Sequence, residues 1–145
     1  MNTLQVFEKI NNDAILKEIF IGVSASDTIP LIKSKPAALI INLDVSKNPG
    51  SHWVALFYSK DGKIEYFDSF GRQPIPSILD YISNYVGSYT YNNVCVQELW
   101  TISCGQMCLY YLVWRCRGIP FREIINSMVS DDFIAGFIIA YKYAA

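Results

Sequence analysis

Apolar positions recur along this chain at two spacings, one suited to helices and one to strands. Ile15, Leu16, Ile19 and Phe20 fall on one helical face, with Asn12 or Asp13 ahead as a cap and Gly22 behind as a stop. This predicts a first helix from about Ala14, after a short helical turn over Thr3 to Lys9. Beyond the Thr28-Ile29-Pro30 break, Ala37 to Asn42 (AALIIN) is a continuous apolar run, the pattern of a central strand covered on both faces. Trp53 to Tyr58 and Lys63 to Phe67 are rich in aromatic and β-branched residues, and the Asp61-Gly62 pair between them suits a tight hairpin.

Pro76 opens a helix through about Val86, with Ile78, Leu79, Ile82 and Tyr85 facing inward and Gly87 ending it; a strand from Ser88 to about Val96 follows. Gly105 to Arg117 is apolar almost throughout as far as Trp114, so it reads as a helix surrounded by protein and ended by Gly118 and Pro120. Two more helices are expected, from Pro120 to about Val129 and from Asp131 to about Tyr143. Ser130 caps the second, with Asp131 and Asp132 in its favourable first turn. The sum is an α+β fold, a small mixed, mainly antiparallel central sheet with helices packed around it.

Composition narrows the class. The 145 residues, 52% hydrophobic and 17% charged, suit a single domain spanning 1–145 with a real core. With 12 Lys and Arg against 13 Asp and Glu, the net charge of -1 offers no general attraction to nucleic acid. The amino terminus, MNTLQVFEKINND, lacks the basic start and apolar stretch of a signal peptide, so a protein that is not secreted is expected. The longest apolar stretches, Met107 to Trp114 and Phe133 to Tyr141, fall short of the roughly 18 residues a membrane helix needs, and no membrane association is expected. Cys95, Cys104, Cys108 and Cys116 are read as free thiols.

Any imidazole chemistry rests on His52, the single histidine. The bland alternative is a structural or exposed histidine. In EYFDSFG, however, Asp68 ends the strand paired with the one that His52 opens, so the two lie side by side across an antiparallel hairpin. A carboxylate there can accept the Nδ1 proton, fix the tautomer and stabilise the imidazolium. Asp68 could equally just begin the turn Asp-Ser-Phe-Gly. Cys104 sits in TISCGQM, where a polar loop gives way to the apolar helix; a helix N-terminus with a nearby imidazolium favours thiolate. Gly105 leaves room for the backbone to approach a substrate carbonyl. The Cys104 N–H and the Gln97 side-chain amide could form an oxyanion hole, although a lone glutamine in such a segment is usually a solvated polar residue. A zinc site is disfavoured by the spacing C-x8-C-x3-C-x7-C, which has no Cys-x-x-Cys pair and no nearby histidine, and no metal or other cofactor is expected. Cys95, Cys108 and Cys116 read as small hydrophobes.

GSHWVALFY, YFDSFG and VQELWTISCGQMCLYYL together resemble the adenain-like cysteine proteases of DNA viruses and their relatives among the ubiquitin-like-protein proteases. The resemblance runs from about Pro49 to Leu112, with weaker support in IFIGVSASDTIP. It implies a papain-like arrangement, with His52 as general base, Asp68 as its orienting acid, Gln97 in the oxyanion hole, Cys104 as nucleophile and Trp53 shielding the site. Adenoviral members typically carry Glu where this chain has Asp68, whereas the ubiquitin-like-protein proteases carry Asp. The shorter forms of virophages and large virus-like transposons look nearest. They imply cleavage of capsid or core precursor polypeptides at glycine-containing sites during virion maturation, in the virion or the host-cell cytoplasm; apart from the resemblance, a monomer is expected. Adenoviral relatives are stimulated by DNA and a peptide. An activating peptide stays open for this chain, and the sequence pI of about 5.7 gives DNA no support.

Three other functions compete. A ubiquitin-like tail could be the substrate of the same chemistry, the acyl group could pass to an amine or alcohol instead of water, or the fold could serve as a non-enzymatic binding module.

Overall fold

The computed structural model describes residues 3–44, 52–96 and 104–128. A five-stranded mixed sheet runs in the order β1 (Phe20–Ala25), β2 (Ala37–Asn42), β3 (Trp53–Tyr58), β4 (Ile64–Phe67) and β5 (Tyr89–Tyr91). Its interior pairs, β2 with β3 and β3 with β4, are antiparallel; the edge strands β1 and β5 join in parallel. The helices are α1 (Thr3–Asn11), α2 (Pro76–Ser83), α3 (Cys104–Arg115) and α4 (Phe121–Ser127).

Alternation along the interior strands divides the core between the two faces of the sheet. Ala38, Ile40, Ala55, Phe57 and Phe67 pack with Val6 and Ile10 of α1, the apolar body of α3, and Ile124 and Ile125 of α4. Leu39, Ile41, Leu56, Ile64 and Tyr66 pack with Ile78, Tyr81 and Ile82 of α2 on the opposite face. The run Met107 to Val113 is buried throughout, so α3 is the enclosed helix its composition predicts. On this face Tyr111 and Arg115 bond Glu65 of β4, at 2.7 Å from the Tyr111 hydroxyl and 2.9 Å from the Arg115 Nε, which pins α3 against the sheet.

The amino-terminal reading is corrected. The long helix lies over Thr3–Asn11, and the predicted helix from Ala14 is only a 3-10 turn over Leu16–Glu18, giving way to β1 at Phe20. Asp13 does act as a cap, accepting the Leu16 N–H at 2.9 Å and the Ile15 N–H at 3.0 Å. Its other oxygen accepts from Arg117 at 2.8 Å, so the cap also ties this turn to the end of α3. Phe20 and Val23 then pair with Ala38 and Ile40 of the AALIIN strand, and Gly22, at φ +138°, sits where the register slips. Sheet pairing outweighs the helical spacing of Ile19 and Phe20 here.

The hairpin forms as its Asp-Gly turn predicts, with Ala55 opposite Phe67. Helix α2 ends at Ser83, short of Val86, and the strand expected over Ser88–Val96 is regular only from Tyr89 to Tyr91. All four cysteines are free. The helix predicted over Asp131 to Tyr143 lies outside the described residues. Among the described residues no helix is long and apolar enough to cross a membrane.

Candidate active site

Three elements meet at one end of the sheet. His52 immediately precedes β3, Asp68 immediately follows β4, and Cys104 is the first residue of α3. Antiparallel register brings the first two together, and burial of α3 against β3 delivers the third. The His52 Nε2–H donates to Asp68 Oδ1 at 2.7 Å, and both residues are buried. The Trp53 N–H points at Cys104 Sγ at 3.4 Å, and His52 hydrogen-bonds the same sulfur.

The ring is turned the other way from the sequence expectation. Asp68 takes Nε2 and not Nδ1, which leaves Nδ1 for Cys104. The sulfur lies against the main-chain N–H of the residue after His52. The carboxylate reaches the outer nitrogen from across the hairpin.

Electrostatically the pair favours charge separation. Burial disfavours an imidazolium at His52, but the hydrogen bonds to Asp68 and Cys104 outweigh it and push the pKa up to about 9. Burial likewise pushes the Cys104 thiol up. The bond to His52, the Trp53 N–H, the imidazolium charge and the Gly105 N–H more than reverse this, so the thiol is acidified. Cys108 and Cys116 go the other way, Cys108 well above the ordinary thiol range and Cys116 to about 11, in each case chiefly because burial disfavours their thiolates. Cys104 is thus chemically set apart from Cys108 and Cys116.

Asp68 is held on several sides. Its Oδ1 also accepts the Phe70 N–H at 2.9 Å, and its carbonyl takes the Gly71 N–H at 2.7 Å, closing the Asp-Ser-Phe-Gly turn. Gly71 adopts φ +72°, and a Cβ there would stand 2.5 Å from the Val94 carbonyl carbon, so both conformation and space call for glycine. The turn reading of Asp68 and the contact with His52 therefore coexist. The Phe70 ring lies 4.7 Å from the imidazole, and the exposed Arg72 guanidinium covers that ring while standing 3.7 Å from Asp68 Oδ2.

Trp53 and Gly105 are in direct contact. A Cβ on Gly105 would lie 2.6 Å from Trp53 Cε3, so the space that glycine leaves is filled by the indole and does not admit a substrate carbonyl on that side. Gln97 lies outside the described residues. Sequence reasoning missed Asn92, whose side chain bonds the Asp68 main chain, and Phe70, which lies against the imidazole. A lone Asn after a strand reads as a turn residue, but the Phe in DSFG could have been flagged from its place beside Asp68. Among the described residues no group of His, Cys, Asp or Glu could hold a metal ion. A buried carboxylate, an imidazole and an acidified thiol in this order can support nucleophilic acyl chemistry.

No protein-family model matches the sequence. The chain is 28% identical over 106 residues to the cysteine protease S273R of African swine fever virus (isolate Tick/Malawi/Lil 20-1/1983), a match covering 64% of this chain and 38% of that protein. The Warthog/Namibia/Wart80/1980 isolate's protein, named SUMO-1 cysteine protease S273R, is 27% identical with the same coverage. R355 of Acanthamoeba polyphaga mimivirus, a protein named for thiol protease activity, is 31% identical over 104 residues, 64% of this chain and 34% of that protein. The chain therefore spans little more than a third of the length of these viral relatives. A crystal structure of the African swine fever virus pS273R protease superposes on 94% of this chain and 64% of its own, with a TM-score of 0.63 at 18% identity. The chain shares that protease's fold, and its relatives in sequence are viral cysteine proteases.

Proposed function

We propose that this chain is a cysteine endopeptidase that cleaves viral capsid or core precursor polypeptides at small-residue, glycine-containing sites during virion maturation. The observation that carries the reading is the buried His52, bonded to Asp68 on one nitrogen and to the acidified Cys104 thiol at the N-terminus of α3. The Cys104 thiolate attacks the scissile carbonyl and forms the C–S bond. The His52 imidazolium gives its proton to the leaving amine as the C–N bond breaks. Water, deprotonated by His52, then hydrolyses the thioester and returns the thiol. Asp68 keeps the imidazole oriented throughout, and Gln97 is assigned to the oxyanion hole. The enzyme acts as a monomer in the virion or the host-cell cytoplasm without a cofactor, and an activating peptide is a natural partner to test.

A second reading has the same chemistry removing a ubiquitin-like modifier, and the SUMO-1 protease name borne by viral relatives favours it. One experiment separates the two. Purified chain is incubated with glycine-containing precursor peptides and, in parallel, with SUMO-1 fused to a reporter, each beside Cys104→Ala. Peptide cleavage abolished by the substitution supports the maturation protease. Cleavage of the fusion alone moves the assignment to the modifier protease, and no thiol-dependent cleavage of either removes the hydrolytic reading.

A further inference from the structure

We propose that Asn92 is a positioning residue for the acid of this site, holding the Asp68 main chain so that the carboxylate meets His52. The inference rests on reading His52, Asp68 and Cys104 as a catalytic set. Strand β5 stops pairing with β4 at Tyr91 opposite Tyr66, before the sheet reaches Asp68. Asn92, the next residue, is buried, and its side chain continues the pairing. Its Oδ1 accepts the Asp68 N–H at 3.0 Å; its Nδ2 donates to the Asp68 carbonyl at 2.7 Å and to the Val94 carbonyl at 3.2 Å. A planar amide with one acceptor and one donor here replaces the strand residue that the sheet lacks.

The consequence for the carboxylate is direct. With Gly71 on the same carbonyl, both oxygen lone pairs of the Asp68 main chain are engaged, and the Phe70 N–H then turns Oδ1 toward the imidazole. None of the three Asn92 bonds reaches His52 or Cys104, so its influence on the chemistry passes through Asp68. Arg72 cannot take over this task. It is an exposed side chain 3.7 Å from the other carboxylate oxygen, and it holds no main-chain group of Asp68.

The test is iodoacetamide labelling of Cys104, followed by mass spectrometry across a pH series. Wild type, Asn92→Ala and Asn92→Ser are compared, each with and without Asp68→Ala, beside their unfolding midpoints. In folded Asn92→Ala the carboxylate loses its aim, the imidazolium is less stabilised and the thiolate with it. Labelling on the acidic side of its pH edge should slow about tenfold, the edge moving up by about one pH unit. In the Asp68→Ala background the same substitution should change the rate less than about twofold, because a residue acting through Asp68 has nothing left to position. Equal losses in both backgrounds would show a general structural role and overturn the proposal. So would an unmoved edge in folded Asn92→Ala when wild-type Cys104 labels faster than Cys95. Wild-type Cys104 reacting no faster than Cys95 would instead defeat the catalytic reading, and this inference with it. Asn92→Ser, whose shorter hydroxyl cannot span both Asp68 groups, carries the comparison if the alanine variant does not fold. If neither folds, Asn92 belongs to the fold and not to the site.

Discussion

Substituting Gly105 by alanine should disarm Cys104 while costing the fold little. The added Cβ would stand 2.6 Å from Trp53 Cε3 and 2.8 Å from Cζ3. Carbon atoms in contact normally sit about 3.5 to 4.0 Å apart, so the indole must retreat by about 1 Å. Overpacking of this kind costs roughly 1 to 3 kcal/mol, and replacing a helical glycine returns up to about 1 kcal/mol. The net destabilisation is about 0 to 3 kcal/mol, a fall in Tm of up to roughly 12 °C for a domain of this size. Function should suffer more, because Gly105 adjoins Cys104 at the start of α3, so whatever part of the clash is relieved by moving α3 off β3 lengthens the contact between the Trp53 N–H and the Cys104 sulfur. A displacement of about 1 Å at a reacting group can cost on the order of 100-fold in rate. Labelling of Cys104 by iodoacetamide and thermal unfolding should be followed on the same samples. Labelling slowed tenfold or more beside a modest Tm change fits the geometry. Adding Trp53→Leu, which removes both clashing atoms, should recover part of the rate. A Gly105→Ala protein that is more stable than wild type and labels at the wild-type rate would refute the argument.

Other outcomes follow from the same contacts. Turnover should trace a bell against pH. It should fall on the alkaline side as His52 loses its proton near pH 9, since the leaving amine then lacks a donor. It should fall on the acid side as the Cys104 thiolate is protonated, below the ordinary thiol pKa. A rate that rises monotonically through pH 9 would contradict the assignment of His52. Asp68→Asn keeps the shape but not the charge, so the alkaline limb should move down toward the ordinary histidine value of about 6.5, read from the same profile. Arg115→Ala removes both bonds to Glu65, at 2.9 and 3.1 Å, and should lower stability by about 2 kcal/mol in urea unfolding while leaving Cys104 labelling within about twofold of wild type. A large loss of labelling in that folded variant would mean that the α3 anchor and the site are not separable.

Much of the framework is legible from local chemistry. Asp61-Gly62 between two aromatic strands dictates the hairpin, and the hairpin alone puts His52 and Asp68 at neighbouring strand ends. The unbroken apolar run after Cys104 likewise reads directly as an enclosed helix. The first 25 residues defeat such reading because Leu16, Ile19 and Phe20 satisfy a helical spacing, and only non-local pairing of β1 with β2 decides the outcome. The choice of imidazole nitrogen is also invisible in sequence, since it depends on how the ring is turned between Asp68 and Cys104. Asn92 escapes for a similar reason. Its Asp68 partners lie 24 residues away, and nothing local distinguishes it from a solvated turn residue.

The peptide unit at Trp53 clamps two turns of α3, its N–H against Cys104 and its carbonyl receiving the Cys108 thiol at 3.5 Å, across separations of 51 and 55 residues. A chain leaving the ribosome therefore holds an ordinary, unarmed thiol at position 104 until α3 has been synthesised and docked. The labelling rate of a single sulfur thereby becomes a clock for completion of the fold.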